Sequence, residues 1–422
     1  MFTYICLFIV FAAKIFGEMV ALIDPISSYG LGYLKALERK NVSFVVIKDI
    51  DAHVSYPNMK GVISARISDP SDVIRAIEKS PYRWWLKGVI SGFDHGTLTA
   101  SKVSEHFGWR SAPYNAALAA KRKDIARDLY QAKGIPSPKY KKVLSLYHAL
   151  HEAQIIGYPI VVKPVDSLGS IGVKCVHNDM ELTKAFEENL NLKPYRHGFS
   201  REPSFLLEEY IDGLAFCATV FLNEGKLLAA AVAETTSTNF PYFCNIGYVT
   251  PPIHGKEAEQ SLIEVSYQAA IALGFTHGVY NIDLKLKDGK PVVLETNGRP
   301  AGDQISEIVL EATGLDVWEA DVACILGQTP DLRPSRNLSA AVAFLTADRK
   351  GIVSKIEGFA ECKNSPGVID MHFFLVPGKK VDLPKSVEDR YGYVVCVDSQ
   401  PEIAKQKAFN AIQKIKIHYK NE

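Results

Sequence analysis

The sequence contains no C-x-x-C pair and no even set of cysteines. Its seven, Cys6, Cys175, Cys217, Cys244, Cys324, Cys362 and Cys396, are scattered along the chain. That excludes a disulfide framework and a clustered zinc site, and fits buried thiols in a reducing, cytoplasmic compartment. Charge of one sign is also missing: 48 Lys+Arg stand against 47 Asp+Glu, for a net +1. Without a long basic run, the chain is not built to hold nucleic acid by its phosphates. It lacks low-complexity tracts and any repeat of about 20–50 residues, which excludes collagen, disorder and solenoids. No G-x-x-x-x-G-K-[ST] occurs, and the turn Asp24 to Gly30 lacks G-x-G-x-x-G, so neither a P-loop nor a dinucleotide fingerprint is present.

An apolar stretch over residues 4–16 looks like a signal core, yet no Lys or Arg precedes it and Lys14 interrupts it. No A-x-A-like site follows, and it is too short for an ordinary membrane span. Met19 then opens Met19-Val20-Ala21-Leu22-Ile23, which reads as the first strand of an α/β domain. The preferred expectation is that 1–18 is a mis-assigned extension with Met19 the initiator. Export or membrane anchoring by these residues stays open, with no membrane contact expected for the globular part.

What is present is a chain of 422 residues, enough for about two to four domains. Short apolar strands at 20–23, 43–47, 61–67 and 88–90 alternate with helical segments at 32–40, 71–78 and 97–107, the rhythm of a doubly wound parallel sheet. One long helix is expected over 116–133, stopped by Gly134-Ile135-Pro136-Ser137-Pro138. A small αβ unit follows, with strands at 158–163 and 173–176 around a glycine loop. A strand-rich unit over 205–232 leads to a helix at 257–273. A hairpin pairs 279–286 with 291–296 through Lys287-Asp288-Gly289-Lys290, and a basic terminal helix is expected over 402–418. The expected divisions are 1–18, 19–115, 116–205, 206–330 and 331–422.

Three segments carry chemistry. In Val161-Val162-Lys163-Pro164, a lysine ends an apolar strand, where an ammonium needs an anion. The loop after it holds Ser167, Gly169, Ser170 and Gly172, small enough for backbone N–H groups to approach a phosphate. Taken alone, a surface lysine beside a glycine hairpin reads equally well. In Glu295-Thr296-Asn297-Gly298-Arg299, strand alternation puts Glu295 and Asn297 on one face, and Asp283 on the neighbouring hairpin strand can join them. Such a hard oxygen set suits Mg²⁺ completed by nucleotide phosphates, and Arg299 adds a planar cation for phosphoryl or carboxylate charge. A solvated face with ordinary salt bridges is the plainer alternative. The third segment, Glu208-Glu209-Tyr210-Ile211-Asp212-Gly213, has the character of a hinge.

In order and spacing these pieces resemble the ATP-grasp superfamily, and in particular its ADP-forming carboxylate–amine ligases similar to L-amino-acid ligases. Lys123 to Arg127 with the Gly134 turn looks like the family's K-x-x-x-R helix and G-I-P-x-P turn. Val162-Lys163-Pro164 with the glycine loop looks like its phosphate clamp, and Glu295 to Arg299 like its E-x-N-x-R signature. The resemblance runs over about 20–420 and takes in Gly358, Gly378, Arg390 and Gly392. It implies an ATP-grasp fold: an N-terminal doubly wound parallel α/β domain, a small lid-like α+β subdomain and a larger C-terminal α+β domain. ATP and Mg²⁺, with Mn²⁺ able to substitute, are the implied cofactors, and a homodimer is the implied assembly.

By that resemblance Lys123, Lys163, Ser167, Gly169 and Ser170 meet nucleotide phosphates, while Glu208 and the main chain of Glu209, Tyr210 and Ile211 face adenine. Asp283, Glu295 and Asn297 hold Mg²⁺, Arg299 and Lys163 act on the transferring phosphoryl group, and His277, Arg299, Gly302 and Asp303 border the substrates. Taken alone, His277 reads first as a structural or surface histidine. The implied reaction moves the ATP γ-phosphoryl to a carboxylate and gives the acyl phosphate to an amine, here a second amino acid. Two departures stand out: Asp283 where the family has Glu, and Ala215 where it has a ribose-binding Glu. The alternatives are an ATP-grasp ligase with another acid donor and a non-catalytic ATP-binding protein. No A-M-K-M-type biotinyl segment is present, which speaks against a self-contained carboxylase.

Overall fold

The computed structural model describes residues 18–25, 27–49 and 54–420. The expectations about the apolar stretch at 4–16 and about Cys6 lie outside the described residues. No described helix is long and apolar enough to cross a membrane.

The first four strands, β1 (Met19–Ile23), β2 (Ser43–Lys48), β3 (Met59–Ser64) and β4 (Leu86–Ser91), form a parallel sheet in the order β3-β2-β1-β4. Every residue of β1 is buried, as expected for an apolar run covered on both faces. Its alternation splits the core in two: Met19, Ala21 and Ile23 join one cluster, Val20 and Leu22 the other. Helices α1 (Ser28–Arg39), α2 (Pro70–Lys79) and α3 (Gly96–Phe107) supply the connections. The start of α2 shows the local logic, with Pro70 in its first turn and the Asp69 carboxylate accepting from the N–H groups of Ser71 and Asp72. The carboxyl ends of this sheet carry Asp24, Asp49 and the loop with Asp94, the edge where open α/β sheets place ligands.

The single helix expected over 116–133 is instead two, α4 (Tyr114–Lys121) and α5 (Lys123–Lys133), broken at Arg122 with φ −101° and ψ 94°. The reason is tertiary. The extended Arg122 lets the Lys123 N–H reach the Val165 carbonyl at 2.8 Å, and its guanidinium folds back on Asp124. The break turns Lys121 and Lys123 both inward. Gly134, at φ +69°, ends α5 in a left-handed cap.

A small antiparallel sheet follows, in the order β5-β8-β6-β7, from β5 (Tyr140–Val143), β6 (Ile160–Pro164), β7 (Lys174–Val176) and β8 (Phe205–Glu209). Helices α6 (Leu146–Ile156) and α7 (Asp179–Leu190) cover it through Ala149, Ala153, Leu182 and Phe186.

The large sheet begins with β9 (Leu214–Asn223), β10 (Lys226–Ser237), β11 (Asn245–Thr250), β12 (Gly278–Lys287) and β13 (Lys290–Asn297), backed by α8 (Gly255–Leu273), with α9 (Ile305–Thr313) and α10 (Val317–Ile325) following β13. The hairpin turn holds Asp288 and Gly289 at φ +50° and +75°, the twist that two-residue hairpins favour. The last stretch holds β14 (Ser339–Thr346), β15 (Gly351–Glu357), α11 (Phe359–Lys363), β16 (Val368–Phe373), β17 (Lys380–Val381), β18 (Arg390–Asp398), α12 (Pro401–Ile412) and β19 (Lys416–Tyr419). Three of its strands extend the same antiparallel sheet, in the order β13-β12-β9-β10-β11-β14-β18-β16. The expected terminal helix over 402–418 stops at Ile412, because the chain beyond it pairs with β15 as β19.

Candidate functional site

The site lies where the small sheet, the β12–β13 hairpin and the carboxyl edge of the N-terminal sheet meet. Lys163, one residue before the end of β6, is buried, and its Nζ is 2.6 Å from Glu208 Oε2 on the adjacent β8. Arg127 of α5 donates from Nε to Glu208 Oε1 at 2.9 Å and from Nη2 to the Leu294 carbonyl at 2.6 Å. Burial alone would raise the Glu208 pKa, but the charges of Arg127 and Lys163 outweigh it and hold the carboxyl below its ordinary value. The Glu208 side chain is thus the shared anion of two buried cations. Lys123 lies 2.8 Å from Glu295 Oε1 and also donates to the Ser167 carbonyl, so it ties α5 to both the glycine loop and β13.

Asp283 and Glu295 are register partners across β12 and β13, next to a bulge. Asn281 and Asn297 donate their amide groups to the two Asp283 oxygens at 3.3 and 3.2 Å. Burial, followed by the Glu295 charge, pushes Asp283 up to about 6. Two carboxylates that repel each other in a buried corner, with the Asn297 amide alongside, make a donor set that a divalent cation fits. Among the described residues no group of three or more His, Cys, Asp or Glu could hold a metal. A cation held here would have to complete its oxygen shell from outside the protein, as Mg²⁺ does with nucleotide phosphates. Glu295, Asn297 and Ser167 line one small cavity with Asp94 and Lys121.

Arg299, just past β13, donates from Nε to Asp94 Oδ2 at 2.9 Å and from Nη1 to the Pro300 carbonyl at 2.9 Å. The other Asp94 oxygen takes Lys121 Nζ at 2.9 Å. Burial disfavours the Asp94 carboxylate, yet Lys121 and Arg299 together keep it well below the usual range. Sequence reasoning missed Asp94 and Lys121 and gave Arg127 no role. Only the K-x-x-x-R spacing marked Arg127 at all.

In the glycine loop, Gly169, Ser170 and Gly172 have φ of +60°, +61° and +77°. The loop reaches across to the C-terminal region: Gly169 O accepts from the Val387 N–H at 3.2 Å, and Ser170 Oγ donates to the Phe243 carbonyl at 3.1 Å. A second tether holds the same subdomain to the N-terminal sheet. The two ring nitrogens of His197 sit 3.0 Å from Asp24 Oδ2 and 2.8 Å from Asp49 Oδ2.

Of the hinge residues, Glu209 Oε1 accepts from the Lys139 N–H at 3.2 Å, Tyr210 packs on Phe240 and Phe243, and the Ile211 carbonyl accepts from Lys285 Nζ at 2.9 Å. Ala215 is flanked across the sheet by Thr235 and Lys285. His277 lines a separate cleft between the N-terminal domain and the large sheet, shared with Arg110, Asp321 and Arg299. Gly302 lies just ahead of the Gln304 N-cap of α9, its carbonyl accepting from the Ile305 N–H at 2.9 Å. The Asp303 carboxylate is 2.5 Å from Arg390 Nη2 and accepts from the Tyr248 hydroxyl at 3.4 Å.

Residues 156–308 match the ATP-grasp domain, and residues 343–420 match L-amino acid ligase C-terminal domain 2. An uncharacterised protein of Sinorhizobium fredii, y4rH, is 24% identical over 382 residues, covering 90% of this chain and 78% of that one. Human carnosine synthase 1 is 23% identical over 78% of this chain, which spans only 41% of that relative's length. The crystal structure of an L-amino acid ligase from Bacillus licheniformis superposes with a TM-score of 0.80 at 19% identity, over 96% of this chain and 99% of that one, a likeness of fold. The chain thus carries one segment that matches the ATP-grasp domain and, in its C-terminal part, one that matches L-amino acid ligase C-terminal domain 2.

Proposed function

We propose that this protein is an ATP-dependent, ADP-forming ligase that joins the carboxylate of one amino acid to the amine of a second through an acyl phosphate. The observation that carries the reading is the set of cations around the paired Asp283 and Glu295: Lys123 is 2.8 Å from Glu295, Lys163 is 2.6 Å from Glu208, and the Arg299 charge acts on Asp283. A carboxylate is a poor electrophile. Its oxygen attacks the γ-phosphorus, ADP leaves, and the resulting acyl phosphate is open to attack by the amine nitrogen. An amide bond then forms, inorganic phosphate leaves, and the amine loses its proton.

Such transfer needs positioning and charge neutralisation more than covalent help from the protein. Lys123 and Lys163 would bind nucleotide phosphates, with Ser167, Gly169 and Ser170 wrapping them. The hinge from Glu208 to Ile211 would receive adenine. Arg299, oriented by Asp94, would meet the charge that develops on the transferring group. Asp283, Glu295 and Asn297 would hold Mg²⁺, which supplies charge neutralisation at the phosphates. The docked glycine loop would keep water from the acyl phosphate.

The test uses the full chain with MgATP and pairs of L-amino acids, reading ADP, phosphate and product mass together, with Glu295→Gln as control. A condensed product with equimolar ADP, lost in the control, is the expected result. ADP release with a different acid donor would favour another ATP-grasp ligase, and ATP binding without turnover on any pair would refute catalysis.

A further inference from the structure

Arg390 opens β18, nine-tenths buried, with its guanidinium 4.1 Å over the Phe344 ring. A buried arginine facing an aspartate normally engages it with both prongs of its fork, two N–H groups on two oxygens. Here only one prong is used. Nη2 takes Asp303 Oδ1, while Asp303 Oδ2 is turned to the Tyr248 hydroxyl, which in turn accepts from Asn245 Nδ2 at 2.8 Å. The other prong, Nη1, is buried and has no hydrogen-bond partner. A guanidinium cannot relieve such a donor by losing its proton, and an unmade charged hydrogen bond in the interior is costly.

The backbone around this pair is held in an unusual shape. Asp303 and Gln304 are consecutive non-glycine residues at φ +55° and +63°, a left-handed conformation that costs energy and concentrates at functional sites. It points Asp303 at Arg390, four positions beyond Arg299. Burial alone would raise the Asp303 pKa, but Arg390 first and then Arg299 bring it below its ordinary value, so its carboxylate stays ionised between two cations. The segment that leads into Arg390 is also the one gripped by the glycine loop. Val387 N donates to Gly169 O, and the Cys244 thiol donates to the Ser386 carbonyl.

From this open fork we infer that Arg390 binds the α-carboxylate of the amine-bearing substrate, so the acceptor must be a free amino acid rather than a simple amine. The inference rests on the ligase reading above, in which the second substrate is already an amino acid, and names the residue that binds its carboxylate. Asp303 and Tyr248 then act as positioning residues: they fix one prong and leave the other for the ligand. Arg390 selects the acceptor, while Arg299 serves the transferring phosphoryl group.

The experiment offers L-amino acids and their α-carboxamides as acceptors to the full chain with MgATP, and compares kcat/KM for each acid–amide pair. One charged hydrogen bond lost predicts a preference of about 10- to 100-fold for the free acid, carried in the acceptor KM. Arg390→Met should bring that ratio near unity, and Arg390→Lys should leave it between. A wild-type enzyme that uses amide and acid equally overturns the inference without any variant, so a misfolded Arg390→Met does not shield it. An Arg390→Met enzyme that keeps the wild-type ratio overturns it as well. If the wild-type chain condenses no acid with any amine, the ligase reading itself fails, and this inference with it.

Discussion

Replacing Glu208 by Gln tests whether Lys163 is held by charge or by packing. The substitution keeps the side-chain shape and one carbonyl oxygen and removes only the anion. What remains is Lys163, 6% exposed, and Arg127, fully buried, without their common counter-charge. Breaking a buried ion pair from one side costs about 3–5 kcal/mol. At roughly 2–4 °C per kcal/mol for a unit of this size, the transition should fall by roughly 6–20 °C. The loss should also depend on pH. Burial, with the nearby Arg127 charge, already draws Lys163 below its ordinary value of 10.5 against the pull of Glu208, and removing Glu208 takes it lower. Between the folded and unfolded values the unfolded chain holds more protons, so the variant gains stability as pH rises through that window. The gap to wild type should therefore narrow as pH rises toward the ordinary lysine value of 10.5. Thermal melts of both proteins across that range, read by near-UV circular dichroism, decide the matter. A variant within about 2 °C of wild type at neutral pH, or a gap that widens with pH, would refute the reasoning.

Three further perturbations test the cleft. Gly169→Ala forces a side chain at φ +60° and sets its Cβ 2.5 Å from Val387, so the KM for ATP should rise about 5- to 30-fold. Adding Val387→Ala should recover only the part due to the clash, and no change in ATP kinetics would show that the docked loop plays no part. Asp94→Asn leaves Arg299 and Lys121 without their shared anion, and kcat should drop by about 100-fold through misplacement of Arg299. Unchanged kcat would remove Asp94 from the argument. His197→Ala unties the lid from Asp24 and Asp49, whose mutual repulsion then adds to the burial that already raises Asp24. Limited trypsin digestion at Arg196 and Arg201 should speed up by about 5- to 30-fold, and an unaltered rate would mean the tether carries no load.

Local patterns in the chain were enough for the E-x-N alternation, the strand-end lysine and the Asp288-Gly289 turn, because each depends on neighbours within a few residues. The break at Arg122 was not legible: helix propensity runs unbroken through it, and the competing bond to Val165 comes from the turn after β6, about 40 residues on. Asp94 was invisible for the same reason, since its partner Arg299 is 205 positions away. Around Lys416 to Tyr419 the residues suit helix and strand alike, and pairing with β15 made the choice. The Glu208 side chain carried the family's expectation of a nucleotide contact. Its pairing with two cations could be seen only once α5, β6 and β8 were in place.

The register Gly247–Ala343 to Thr250–Ala340 welds β11 to β14. The two family-matched segments are accordingly not separable beads but halves of one hydrogen-bonded surface. Cutting the chain between them would bare a long strand edge on each piece, a template for sticking to other chains. Anyone grafting a different C-terminal segment onto this scaffold has to carry that seam along, residue for residue, because a slip of one position would turn the grafted sheet inside out.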